Sequence, residues 1–279
     1  MHFDLGGLGR WTPERSFSVE RERIRAYAAA TNETAPALVE GDVAPPVFAI
    51  LPIWETIHEA TAGVVPEEAH AHVLHGEQDM FLHAPLLPGI EVAARSAVVG
   101  VHAKPSGTAV IVKAETRDPI GALVSEQYVT EFYRGVVADE SDGEVAPDHR
   151  SPEELAERQP TAAVTERIDE DQTFRYAEAS GDHFAIHLDD GFARAAGLPG
   201  IIVHGLCVMA FTARAVLETD GAGPTALRRL AVRFSRPIRP GEEMTTRLWR
   251  LEPGVYAYDV TNGAGELVIR DGRAELSGG

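Results

Sequence analysis

An aspartate and a histidine five residues apart, Asp182 and His187, are the residues of this chain best spaced to do chemistry. They lie in the stretch Tyr176-Ala-Glu-Ala-Ser-Gly-Asp-His-Phe-Ala-Ile-His-Leu-Asp-Asp190. Gly181 can end the preceding helical pattern at low steric cost. Both side chains are then left on an irregular turn that can point them at one spot. An imidazole titrates near neutrality and can take and return a proton, while a carboxylate can hold a water or orient the ring. Such a pair activates water without a metal. Asp182, His183, His187 and Asp189 could also be read as ligands, since histidines four apart on a helix can bind zinc. No third ligand of fitting spacing follows, so no metal is expected. His70, His72 and His75 alternate as on a strand and read as a polar strand face.

A second segment, Pro199-Gly-Ile-Ile-Val-His-Gly205, leads into a long apolar run. The first N–H groups of a helix have no internal partner. A glycine there lets a carbonyl approach closely, so the N–H of Gly205 can polarise that carbonyl and stabilise an enolate. His204 is given no catalytic role.

The elements that must hold these residues come in two similar sets. Val136–Pro160 is acidic, proline-containing and without apolar period, and reads as a linker. On either side stand Pro85-Leu-Leu-Pro-Gly-Ile-Glu-Val92 and Pro237-Ile-Arg-Pro-Gly-Glu-Glu-Met244, each a turn leading into a strand. Alternating segments follow both: 93–101, 109–116 and 125–133 in the first half, 245–251, 256–261 and 266–274 in the second. Upstream, 20–30 and 169–179 read as helices, followed by the longer apolar stretches 47–62 and 201–217, which must be buried nearly all round. The shared order points to a duplicated α+β fold, each repeat an antiparallel sheet wrapped around one long buried helix. The divisions are residues 1–135, a linker at 136–160, and 161–279.

These motifs resemble the MaoC-like, (R)-specific enoyl-CoA hydratases (hydratase 2) and 3-hydroxyacyl-thioester dehydratases, in their two-repeat, double hotdog form. Tyr176, Ser180, Gly181, Asp182, Ile186, His187, Asp189 and Ala193 match that signature, as does Pro199–Gly205. Phe184 and Ala185 depart from it, standing where the family usually has Asn and Pro. The resemblance implies that Asp182 and His187 hold and activate the water and that Gly205 binds the thioester oxygen. Water would then add to C3 of a trans-2-enoyl thioester, with a proton delivered to C2, giving an (R)-3-hydroxyacyl thioester. It also implies that His75 and Gly76, in Leu74-His-Gly-Glu-Gln78, contact the acyl-CoA, that Lys104 is a basic CoA contact and that Phe234 is a pocket residue. Phe184 would reshape the acyl pocket. Thr31-Asn32-Glu33 stands where Ser180-Gly181-Asp182 stands in the second half, with Leu38 in place of the histidine. The first repeat is therefore expected to be catalytically silent. No cofactor is implied; CoA or an acyl carrier protein carries the substrate.

Bulk composition limits the remaining choices. The 279 residues are 44% apolar and carry a formal net charge of −18. Such a surface repels phosphate backbones and anionic membranes. Neither nucleic acid nor membrane is an expected partner; a small acyl thioester is, and an acyl carrier protein is a second candidate. Lys104 and Lys113 are the only lysines, and Arg228, Arg229, Arg233, Arg236 and Arg239 form a basic cluster able to meet CoA phosphates or an acidic carrier. Cys207 is the single cysteine and no signal peptide is visible, which suits the cytoplasm. A monomer and a homodimer are both compatible with two fused repeats. Two other functions stay open, a hotdog thioesterase and a non-catalytic acyl-CoA-binding protein.

Overall fold

Each Pro-x-x-Pro-Gly turn delivers the chain into a long strand whose inward side chains alternate with outward ones, the period that a half-covered sheet requires. The computed structural model describes residues 1–277. Its strands are β1 (Arg15–Ser18), β2 (Val73–Leu82), β3 (Glu91–Lys104), β4 (Gly107–Arg117), β5 (Leu123–Arg134), β6 (Asp142–Gly143), β7 (Ala162–Arg167), β8 (Leu227–Phe234), β9 (Glu243–Glu252), β10 (Val255–Asn262) and β11 (Leu267–Leu276). Its helices are α1 (Arg21–Ala30), α2 (Pro36–Val39), α3 (Trp54–Ala62), α4 (Gln172–Ser180), α5 (Asp190–Ala195) and α6 (Gly205–Asp220).

The chain forms two compact units: residues 1–18, 49–84 and 90–148, and residues 19–48, 85–89 and 149–279. In the first, strands run β1-β3-β4-β5-β2, with β6 also on β3. In the second they run β7-β9-β10-β11-β8. The two orders correspond strand for strand, and the pairings within each are antiparallel. This shared topology is what the sequence repeat encodes. The edge strands β1 and β7 are too short and too exposed to have stood out in the sequence.

The units divide differently from the sequence halves. Residues 19–48 precede the linker but pack with the second unit. The reason lies in α1 and the turn after it, which are tied to α4. The buried hydroxyls of Tyr27 and Tyr176 lie 3.0 Å apart, Gln172 Nε2 donates to the Ala30 carbonyl at 2.5 Å, and Arg175 Nη1 donates to Ala29 O at 2.8 Å. Tyr27 stands five residues before Asn32, and Tyr176 five before Gly181, so equivalent residues of the two repeats meet. Asn32 and Gly181 both take left-handed backbone, φ +53° and +85°. The left-handed turn is shared although Glu33 and Leu38 stand where the second repeat has Asp182 and His187.

The linker is also structured. Its first part pairs β6 with β3 in the first unit. In the second unit His149 Nδ1 lies 2.6 Å from Asp271 O, and Leu155 is buried against Trp249.

The long buried helix expected of each repeat is present in the second only. Leu206–Leu217 of α6 are all buried. In the first repeat the stretch 47–62 is broken: Pro46–Ile53 is a 3-10 helix and α3 starts at Trp54. Pro52 lacks an N–H and its ring obstructs the preceding turn, so an α-helix cannot run through it. His70 and His72 likewise lie in a 3-10 helix, Glu67–His72, and not on a strand. Among the described residues no helix is long and apolar enough to cross a membrane.

Candidate active site

The turn carrying Asp182 is closed by backbone groups. The Phe184 N–H donates to Asp182 Oδ1 at 3.1 Å, and the Asp182 N–H donates to Ser180 Oγ at 3.1 Å. Because the donor to the carboxylate is a main-chain N–H, the residue type at 184 does not decide the turn. Phe184 has extended backbone, φ −61° and ψ 130°, the conformation that a following proline would impose. Ala185 therefore begins the 3-10 turn Ala185–His187 without needing to be proline. The Phe184 ring is about half exposed and meets Phe192 edge-on, with centroids 6.2 Å apart. Asp189 is the N-cap of α5, its Oδ1 accepting the Phe192 N–H at 2.8 Å; that role is structural.

His187 is buried, and its Nδ1 lies 2.9 Å from the Ile202 carbonyl. A carbonyl only accepts, so Nδ1 carries the ring proton and Nε2 is left with a lone pair. Burial holds this imidazole below its ordinary pKa, against the opposing pull of the Ile202 bond and of Asp182. The ring is thus neutral near pH 7, in the tautomer that accepts a proton at Nε2.

His204 completes the cluster. One carboxylate oxygen of Asp182 and one ring nitrogen each of His187 and His204 lie within 4.8 Å of one another. The rings of His187 and His204 stack, centroids 3.8 Å apart at 23°. Two imidazoles and a carboxylate can make a metal site, but here both nitrogens of His204 are engaged. Nε2 lies 3.0 Å from Asp182 O and Nδ1 lies 3.1 Å from Thr173 Oγ1. His204 therefore offers no lone pair to an ion unless that network breaks, and the donor set fits proton handling better than ligation.

Gly205 is the first residue of α6, with His204 at the N-cap. Its N–H meets no acceptor among the described residues, as expected for the first turn of a helix. The ring of Phe234 covers its α-carbon so closely that a Cβ would lie 2.8 Å from Phe234 Cε1. Asp182, His187, Gly205 and Phe234 are all in the second unit. His75, Gly76 and Lys104 are in the first unit. His75 and Gly76 lie where the register of β2 against β5 shifts, and Lys104 is exposed at the end of β3.

Residues 150–268 match the model of the MaoC like domain, and residues 7–127 that of the FAS1-like dehydratase domain region. A 3-hydroxyacyl-thioester dehydratase Y of Mycobacterium tuberculosis is 34% identical over 219 residues, 75% of this chain and 74% of that protein. The chain belongs to the MaoC-like dehydratase family. The peroxisomal enoyl-CoA hydratase 2 of Arabidopsis thaliana is 32% identical over 187 residues, 63% of this MaoC-like chain and 60% of the plant protein. A crystal structure of a MaoC-like dehydratase from Phytophthora capsici superposes with TM-score 0.85 at 23% identity, covering 99% of this chain and 98% of that one. The fold of this MaoC-like protein is the double hotdog.

One residue beside this MaoC-like site gave no sign of itself in the sequence, and the contacts of a second were not legible there. Thr173 gave no signal, being one polar residue in a helical pattern. His204 was visible beside Gly205, but only the packing of α4 against the N-terminus of α6 shows what it touches.

Proposed function

We propose that this protein is a hydro-lyase that reversibly adds water to trans-2-enoyl thioesters, forming (R)-3-hydroxyacyl thioesters in fatty acid metabolism. The observation that carries the reading is the Asp182–His187 pair, with the His187 tautomer set by Ile202 O. Asp182 and His187 hold one water. Nε2 of His187 takes a proton as the water oxygen bonds to C3. The electron pair of the C2–C3 double bond moves toward the thioester oxygen, where the Gly205 N–H and the positive end of α6 stabilise the developing charge. A proton from the Asp182–His187 pair then goes to C2. One water is consumed, nothing is oxidised, and the reverse path is dehydration.

The family and the names of its relatives support this assignment. CoA is the proposed carrier of the acyl group, and His75, Gly76, Lys104, Phe184 and Phe234 are proposed substrate contacts. The cytoplasm is the proposed compartment; the single cysteine, Cys207, is buried and free.

The test is loss of the conjugated enoyl absorbance with crotonyl-CoA and with trans-2-dodecenoyl-CoA. Asp182→Asn and His187→Ala should each lower kcat by about 10²–10⁴-fold, the usual share of general acid–base catalysis. Folded wild-type protein that turns over neither substrate, or that releases free thiol from saturated acyl-CoA, would overturn the reading.

A further inference from the structure

The hydrogen bonds around His204 can be satisfied in one consistent way when its ring is neutral. The Asp182 carbonyl, 3.0 Å from Nε2, can only accept, so Nε2 carries the proton. Nδ1 is then an acceptor and needs a donor. The Thr173 hydroxyl lies 3.1 Å from it and 3.1 Å from the His187 carbonyl. A hydroxyl has one proton, which it can direct to the His187 carbonyl or to Nδ1; with Nε2 protonated, giving it to Nδ1 avoids two facing lone pairs at 3.1 Å. The Ile202 carbonyl, 3.4 Å from the same hydroxyl, already receives His187 Nδ1–H. Burial, with the neighbouring His187 adding to it, pushes His204 down to about 4, so the neutral form assumed here is the one present near pH 7.

The ring is also packed against two others. One lies against His187 at 3.8 Å, and the Tyr176 ring lies 4.9 Å away, tilted 48°. Tyr176 is held in turn by the Tyr27 hydroxyl. His204 is 2% exposed. It therefore touches the backbone of one reacting residue and the ring of the other, and it is itself clamped by α4. Any buried imidazole needs partners for both nitrogens; what distinguishes His204 is which groups it meets, the Asp182 carbonyl at Nε2 and the His187 ring at its face.

We propose that His204 is a positioning residue, whose Nε2–H pins the Asp182 carbonyl while its ring face supports the His187 ring, so that an imidazole that never reacts sets the spacing of the carboxylate and the imidazole that do. Thr173 is part of the device, because its hydroxyl donates to the Nδ1 that the Asp182 carbonyl leaves unprotonated. The proposal rests on the hydratase reading for its kinetic arm only.

Three variants and one spectrum test it. His204→Phe keeps a ring against His187 and loses both hydrogen bonds. His204→Gln keeps an N–H at the bond count of Nε2 and loses the ring. Thr173→Val removes the donor to Nδ1 together with the hydroxyl's contacts to the His187 and Ile202 carbonyls, and leaves the His204 ring and its Nε2–H in place. With crotonyl-CoA, His204→Phe should lower kcat by about 10–100-fold with KM within about twofold, the scale of a small misplacement of reacting groups. His204→Gln should recover at least about threefold of that loss, and Thr173→Val should lower kcat in the same direction as His204→Phe. In wild-type protein labelled with ¹⁵N-histidine, His204 should be the Nε2–H tautomer and His187 the Nδ1–H tautomer. That arm needs no turnover, so it stands even if the substrate reading fails. Folded His204→Phe with unchanged kcat would overturn the proposal, as would an Nδ1–H tautomer at His204. If His204→Phe does not fold, Thr173→Val decides: unchanged kcat overturns, and a fall in kcat with KM held supports.

Discussion

Replacing Gly205 by alanine should disable catalysis without unfolding the protein. A Cβ at 205 would lie 2.8, 3.0 and 3.1 Å from Cε1, Cδ1 and Cζ of Phe234. Carbon atoms rest at about 3.5–4.0 Å, so the ring or the start of α6 must give way by at least about 0.7 Å. Alanine is the better helix former by up to about 1 kcal/mol, while overpacking costs about 1–3 kcal/mol. The net effect on the thermal midpoint should thus be small. The N–H proposed to meet the substrate oxygen moves with the helix start, and losing one such donor costs about 10²–10³-fold in kcat. The assay is enoyl-CoA hydration by Gly205→Ala, Phe234→Ala and the double variant. If the collision is the cause, removing the ring should restore at least about tenfold of the loss, a coupling of about 1.4 kcal/mol. Wild-type kcat in Gly205→Ala would refute the reasoning. So would a double variant no faster than the product of the two single effects predicts.

Burial raises Glu33 to about 7, with the Arg214 guanidinium pulling the other way. The folded state therefore holds a proton that the unfolded chain releases near 4.5, so stability falls as pH rises from about 4.5 to 7, by up to about 3 kcal/mol. Glu33→Gln should gain on the wild type across that window in urea melts, and a pH-independent difference would contradict this. Tyr27→Phe leaves the Tyr176 hydroxyl buried without its partner and should cost about 1–3 kcal/mol in the same melts; an unchanged midpoint would mean that the hydroxyl pair contributes nothing. Phe184→Asn restores the residue usual in the family at a half-exposed position whose turn is closed by backbone. It should change stability by no more than about 0.5 kcal/mol, and a larger loss would show that the Phe184–Phe192 contact holds the turn.

Local pattern was enough for much of this protein. Alternation and Pro-Gly turns located β3, β4, β5, β9, β10 and β11 because strand period and turn chemistry are properties of a few adjacent residues. The Asp182–His187 spacing, Gly181 after a helix and Gly205 before one were legible for the same reason, and the motif pointed to the family. The break at Pro52 was also local and was overlooked, since apolar character suggested one helix where the missing N–H forbids it. Tertiary structure alone decided what depends on residues far apart in sequence. It turned α1 to α4 so that Tyr27 meets Tyr176, and set residues 19–48 in the unit that carries the site rather than with the rest of their repeat. It brought Ile202 O to His187 and so chose the tautomer. It laid Phe234 over Gly205, and it placed Thr173, His204 and the Asp182 carbonyl in one line of hydrogen bonds. No periodicity records such contacts, because each is a meeting of two elements whose separate sequences need only be apolar on one face.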